Sequence, residues 1–173
     1  LRSLLLSALT EGEKTIDNPL IAEDTLFMAE CLKKLGAEIR FEDGKFFVRG
    51  AADLFLGETL DCGNSATTLR LLVGALSGLG VKATFTGDES LKSRDFSDVI
   101  APLTDAGAVI ESNNGFLPIT LKKGITKPLY AETTSAQVKG GVLLAGIFGK
   151  QKATVNEIAP MRDVTERLLT LGG

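Results

Sequence analysis

The sequence predicts an α/β fold of three repeated βαβαββ-like units packed around buried helices, with the first and last units incomplete. Three observations carry this. Two segments open with hydroxyl and amide residues and then turn almost wholly apolar. One follows Asn64-Ser65 and runs through Leu69, Leu71, Leu72, Val73, Ala75, Leu76 and Leu79. The other follows Thr134-Ser135 and runs through Val138, Val142, Leu143, Leu144, Ala145 and Ile147. A helix that is apolar all round belongs inside a protein. Second, LKKLGAEIRFEDGKFF from Leu32 is echoed by LTDAGAVIESNNGFLP from Leu103, so that Gly36 matches Gly107, Ala37 matches Ala108 and Gly44 matches Gly115. Third, Lys82-Ala83-Thr84 returns as Lys152-Ala153-Thr154. A period of roughly 65–70 residues is long for a solenoid repeat but natural for a small α/β module.

In chain order, Leu1–Thr10 reads as a helix with Leu4, Leu5, Leu6, Ala8 and Leu9 apolar, ended by Gly12. Lys14–Pro19 reads as a short strand. Asp24–Leu35 is an amphipathic helix, with Met28, Cys31, Leu32 and Leu35 at i, i+3, i+4 and i+7 and Gly36 behind it. Ala37–Glu42 and Lys45–Arg49 alternate like strands around Asp43-Gly44, a hairpin signal.

A strand ending at Asp61 precedes the buried helix from Asn64, which ends near Gly80. Val81–Thr86 is a strand, Asp95–Ala106 a helix ended by Gly107, and Ala108–Ser112 with Phe116–Leu121 a second hairpin around Asn113-Asn114-Gly115. Leu129–Thr133 then reads as a strand, Ser135–Phe148 as a buried helix, and Arg162–Leu171 as a last helix reaching Gly172. The units fall at about 1–57, 58–124 and 125–173, in one domain. The first lacks its opening strand and the third its closing hairpin. With no initiator Met, the chain is expected to be a fragment with an exposed sheet edge, prone to weak self-association.

Composition excludes several function classes. Of the 173 residues 44% are hydrophobic and 24% charged, the balance of an ordinary globule. A formal charge of −3 argues against a nucleic-acid binder, which needs a basic face. No apolar run is as long as a membrane span, and no signal peptide is visible. Cys31 and Cys62 lack metal-site spacing, and Cys31 sits on an apolar helix face, so a reduced, cytoplasmic setting is expected. There is no histidine. That excludes a Ser-His-Asp triad, a Cys-His dyad and a His-ligated metal, and leaves carboxylates, lysines, Tyr130 or water for proton transfer.

The polar mouths of the two buried helices are the candidate site. A helix N-terminus offers free N–H groups and the positive end of its dipole to an anion. Asn64, Ser65, Thr67 and Thr68 ring one such end, with Arg70 a turn further on, and Thr134-Ser135-Ala136-Gln137 opens the other. The plainer reading of Asn64 or Ser65 is an N-cap. The chain also begins inside a similar apolar helix, LRSLLLSAL, so three such helices are expected inside; if they run parallel, their N-termini converge on one anionic ligand.

Four segments in this order, LDCGNSATTLRLL, GDESLKSRDF, SAQVKGGVLLAG and RDVTERLLTLGG, resemble the N-terminal half of the 5-enolpyruvylshikimate-3-phosphate synthase (EPSP synthase) family. LRSLLLSALTEG and EDTLFMAECLKKLGAEI extend the resemblance to nearly the whole chain. It implies an "inside-out" barrel domain, one of two, with the active site between them and no metal or other cofactor. It also implies transfer of the enolpyruvyl group of phosphoenolpyruvate to shikimate 3-phosphate, in aromatic amino acid biosynthesis.

By position, the resemblance places Arg2, Ser135, Ala136, Gln137 and Arg162 on shikimate 3-phosphate. It places Asn64, Ala66, Thr67, Arg94 and Gln137 on phosphoenolpyruvate. Arginine suits both polyanions, since its fork of donors matches phosphate and carboxylate. Each arginine taken alone reads as a solvated surface charge.

There are departures. Asp95 stands where the family usually has Pro, Met161 where it has Ser, and Val164 where it has His. Asp95 is read as a cap for the helix that follows. The family's Lys-Ser strand before the Arg2 position and its second domain, with the proton-handling groups, are missing from these residues, so the chain is expected to bind but not catalyse. Ala66 replaces a frequent Gly, which implies a narrowed phosphoenolpyruvate pocket and resistance to the longer inhibitor glyphosate; the plainer reading is that Ala favours the helix. Competing readings are half of a UDP-N-acetylglucosamine enolpyruvyl transferase and a non-catalytic binding domain of the same fold.

Overall fold

The computed structural model describes residues 1–51 and 53–171. The first unit comprises α1 (Arg2–Ala8), β1 (Glu13–Ile16), α2 (Glu23–Lys34), β2 (Glu38–Glu42) and β3 (Lys45–Arg49). Its antiparallel sheet has the order β1-β3-β2, with Arg49 opposite both Glu13 and Glu38. Asp43 (φ 50°) and Gly44 (φ 73°) both take left-handed backbone, as a two-residue hairpin turn with the right twist requires.

The second unit comprises β4 (Glu58–Asp61), α3 (Ala66–Leu79), β5 (Ala83–Thr86), α4 (Glu89–Lys92), α5 (Ser97–Asp105), β6 (Val109–Asn113) and β7 (Phe116–Lys123). Its sheet runs β4-β5-β7-β6, with β4 parallel to β5 and the other pairs antiparallel. The third unit comprises β8 (Leu129–Thr133), α6 (Ala136–Phe148), β9 (Ala153–Glu157) and α7 (Val164–Leu171), with β8 parallel to β9. The repeat is therefore written in strand pairing. The order β5-β7-β6 reproduces β1-β3-β2, and β4–β5 reproduces β8–β9. Gly36 (φ 106°) and Gly107 (φ 95°) turn the chain out of α2 and α5 in a conformation that a Cβ disfavours.

Several boundaries differ from the sequence expectation. β1 stops at Ile16, before Asn18, whose φ is 47°. β5 begins at Ala83 because the Val81 N–H is spent on the Leu76 carbonyl, closing the end of α3. The GDESLKS segment holds a short helix, α4, capped by Asp88, whose Oδ1 accepts the Leu91 N–H at 2.8 Å. α5 starts at Ser97, and Asp95 serves that start one residue earlier than a cap, accepting the Ser97 N–H at 2.8 Å. α7 starts at Val164, and Gly172 lies outside the described residues.

α3 and α6 form the centre and run parallel. Gln137 meets Thr67 at their N-terminal ends, Gly141 meets Arg70 and Gly74 further on, and Ala145 with Gly149 meets Gly78. Glycines allow this approach, since a methyl group on Gly74 would collide with the Gly141 backbone. Leu4 and Leu5 of α1, Met28 and Leu32 of α2, and Val99 and Leu103 of α5 close around the pair, all fully buried. The sheets form the outer wall, turning Phe46, Val48, Phe85, Ile119 and Leu121 inward. Among the described residues no helix is long and apolar enough to cross a membrane.

Candidate functional site

The mouth of α3 is built by the chain leaving β4. The Asp61 Oδ1 accepts the Gly63 N–H at 2.9 Å, and Gly63 (φ 56°) faces the Phe27 ring so closely that no Cβ fits. Ser65 caps the helix. Its Oγ accepts the Thr68 N–H at 3.1 Å and donates to Thr68 Oγ1 at 2.9 Å, and Thr68 Oγ1 donates in turn to the Asp24 carbonyl at 3.1 Å. The plain N-cap reading thus holds for Ser65, whose hydroxyl is spent inside the helix mouth. Asn64 turns aside, its Nδ2 donating to Glu23 Oε2 at 3.1 Å. Ala66 is buried and Thr67 half-buried.

The mouth of α6 repeats the device. Thr133 Oγ1 accepts the Ser135 N–H at 2.9 Å, and Ser135 Oγ accepts the Val138 N–H at 3.3 Å. Ala136 opens the helix, and Gln137 joins the two mouths. Its Nε2 donates to Thr67 Oγ1 at 2.8 Å, and its Oε1 accepts from Arg70 Nη1 at 3.2 Å.

Arg70 is not the free cation expected beside this end. Its guanidinium forks onto Asp98 at 2.9–3.2 Å and lies 4.8 Å over the Phe96 ring. It ties α3 to α5 and α6, with its charge matched by a carboxylate.

Arg2 stands at the flank of α6. Its Nε donates to Thr165 Oγ1 at 2.8 Å, and a methyl on Gly140 would lie 3.6 Å from its Nη2. Burial lowers the Arg2 pKa, and Glu166 acts against that. Arg162 is exposed, just ahead of α7, with no hydrogen bond among the described residues. Arg94 is exposed after α4 and, among the described residues, reaches only Ser90 Oγ, at 3.4 Å. The structure therefore brings Thr67, Gln137 and the two capped helix mouths together, with Arg2 beside α6. It leaves Arg94 and Arg162 on the surface around them and turns Asn64 toward an acid.

Sequence reasoning missed Lys139. It lies inside α6, 2% exposed, with its Nζ 2.8 Å from Glu157 Oε1 and 2.6 Å from Glu166 Oε1. Burial disfavours its charge, but hydrogen bonds and attraction from the two carboxylates outweigh that and raise its pKa. Glu157 is held below the ordinary carboxylate range, first by Lys139 and then by the Met161 N–H, 3.0 Å from its Oε2. The available signal was a lone charge in an otherwise apolar run, Val138 to Phe148.

The thiols offer no nucleophile. Both are buried, and the Cys62 pKa is pushed well up by its contact with Cys31 and by burial. A depression of about 320 Å³ borders the α3 mouth, lined by Glu23, Phe27, Asp61, Gly63, Asn64, Gly87 and Asp88. Its three carboxylates make that side of the mouth acidic. A larger cleft, about 890 Å³, lies away from the mouths, between α1, β1, α7 and the far end of α6, and includes none of the expected site residues. The arrangement as a whole offers an anion two parallel helix N-termini, side-chain donors and a flanking guanidinium.

The model of the EPSP synthase family (3-phosphoshikimate 1-carboxyvinyltransferase) matches residues 1–173. The 3-phosphoshikimate 1-carboxyvinyltransferase of Thermus thermophilus is 43% identical over 176 residues, covering 96% of this chain and 41% of the relative. That of Geobacillus kaustophilus is 39% identical over 179 residues, covering 99% and 42%. The solved EPSP synthase from Acinetobacter baumannii superposes with a TM-score of 0.91 at 32% identity, covering 99% of this chain and 41% of that one. The chain thus spans about two fifths of the length of the relatives it matches.

Proposed function

Because this chain belongs to the EPSP synthase family, we propose that it is the substrate-binding half of an enolpyruvyl transferase that joins phosphoenolpyruvate to shikimate 3-phosphate. The observation that carries this reading is the Gln137 bridge. One side chain bonds Thr67 at one helix mouth and Arg70 behind it, while standing in the first turn of the other helix. Two anions bound side by side would share such a residue.

In this reading Arg2, Ser135, Ala136, Gln137 and Arg162 hold shikimate 3-phosphate. Asn64, Ala66, Thr67, Arg94 and Gln137 line the phosphoenolpyruvate end. Among the described residues, the phosphoenolpyruvate end carries little unmatched positive charge. Glu23, Asp61 and Asp88 border it, Arg70 is matched by Asp98, and Arg94 is the exposed cation. The remaining cations and the proton-transfer groups are assigned to the other domain of the parent protein, a cytoplasmic enzyme. Residues about 1–57, 58–124 and 125–173 are the three units of this domain, which binds without catalysing.

The test is an NMR titration of this chain with shikimate 3-phosphate and then phosphoenolpyruvate. Shifts at Ser135, Gln137 and Arg162 with the first ligand are expected. A folded chain that responds instead to a UDP-sugar would replace the acceptor in this reading.

Ala66 carries a prediction of its own. It is 7% exposed at the first position of α3, so its methyl crowds the mouth. In the parent enzyme Ala66→Gly should lower the glyphosate concentration for half inhibition by about tenfold or more, the loss of one close contact. Unchanged inhibition would remove Ala66 from the pocket.

A further inference from the structure

We propose that Lys139 is a positioning residue for the acceptor site: it locks α7 and the segment before Arg162 onto α6, and so sets where Arg2 and Arg162 stand. This rests on the reading above that those two arginines take shikimate 3-phosphate. Lys139 cannot be a ligand itself, because its side chain is only 3% exposed and its ammonium is engaged by two carboxylates. Each contact leads outward to a proposed substrate group.

Through Glu157 at the end of β9, the ammonium is linked to the Met161 N–H, so one carboxylate bridges α6 to the residue directly before Arg162. Through Glu166 it grips the first turn of α7. The neighbouring Thr165, 3% exposed, there accepts the Arg2 Nε–H. Glu166 Oε2 is buried without a hydrogen-bond partner among the described residues, and its charge bears on Arg2. Two cations and two carboxylates thus form one balanced cluster between α1, α6, β9 and α7.

A buried ion pair is no more stabilising than good apolar packing of the same volume. What it adds here is direction. Bonds from one ammonium fix the rotation of α7 and the course of the loop, whereas an apolar side chain would let both slide.

Glu157→Gln is the sharper variant, because the neutral amide has one acceptor oxygen. That oxygen can serve Lys139 or the Met161 N–H but not both. Lys139→Met removes the hub and carries a risk of misfolding, so the pair is tested together in the full-length parent enzyme. The expected result is a KM for shikimate 3-phosphate raised about tenfold in both variants, with the KM for phosphoenolpyruvate and kcat within about twofold. A merely structural role would lower the active fraction, and with it kcat, and leave both KM values alone. That outcome, or an unchanged acceptor KM in Glu157→Gln, overturns the proposal.

Hydrogen exchange at the Met161 amide and the Arg2 Nε–H of this chain gives an independent readout, with faster exchange expected in both variants. A wild-type parent that does not use shikimate 3-phosphate would sink the functional reading alone. Exchange would then decide the positioning role, which unchanged rates would refute.

Discussion

Glu157 and Lys139 show how single side chains here answer to pH. The Glu157 pKa lies below its usual 4.5, so its contribution is present above pH 4.5 and is lost as pH falls through the lowered value. The Lys139 pKa lies above its usual 10.5, so its contribution is full below pH 10.5 and lost as pH rises through the raised value. The contacts between α6, β9 and α7 should therefore hold across the neutral range and loosen as pH falls below 4.5 and through the lowered Glu157 value. Exchange at the Met161 amide, taken relative to its intrinsic rate at each pH, should accelerate in the wild type as pH falls from 6 to 3. In Glu157→Gln it should start fast and change little. A wild-type profile as flat as the variant's would contradict the assignment. None of this was legible from local sequence, because Lys139 finds its partners on two other elements.

At the scale of elements, the parallel pair α3 and α6 organises the molecule. Their N-termini stand side by side because glycines at Gly74, Gly78 and Gly141 let the backbones touch. Gly74→Ala gains helix propensity, about 1 kcal/mol, but drives a methyl into the Gly141 backbone, an overpacking cost of about 1–3 kcal/mol. The net expectation is a lower urea midpoint together with loss of the Gln137–Thr67 hydrogen bond. A variant as stable as the wild type, with that bond intact, would show that the approach is not tight. The sequence announced both helices through their apolar runs and serine caps. It also placed the hairpins, at Asp43-Gly44 and around Asn113-Asn114-Gly115, although the structure takes Asn113 into β6 and leaves a two-residue turn. It missed α4, because a four-residue helix carries too little periodicity to be read.

Across the whole molecule, the three units are alike but not equally paired. β5 is hydrogen-bonded on both sides, to β4 and β7. Among the described residues its counterpart β1 pairs on the β3 side alone, and β9 on the β8 side alone. Each unpaired strand presents open N–H and carbonyl groups of the kind that recruit another strand. The exposed charges of Glu13 on β1 and Arg49 beside it act against pairing there. β9, with Thr154 and Asn156 alternating with Val155, is the weaker barrier. Sedimentation velocity over a wide concentration range should show reversible association, reduced by a lysine at Val155. A monomer at every concentration would mean that both edges are protected.

The sequence by itself determined the unit and its repetition. Turn glycines, capping hydroxyls and apolar periodicity are local constraints, and they recur at matching places. It also marked which residues open each buried helix, so the two polar mouths were legible before their geometry. Tertiary structure alone decided that these mouths are neighbours, that Gln137 spans them, that Arg70 is neutralised by Asp98, and that Lys139 pairs with Glu157 and Glu166. Those facts depend on how closely two helices approach and which side chains meet across the chain, and distances of that kind are set by packing rather than by any window of sequence.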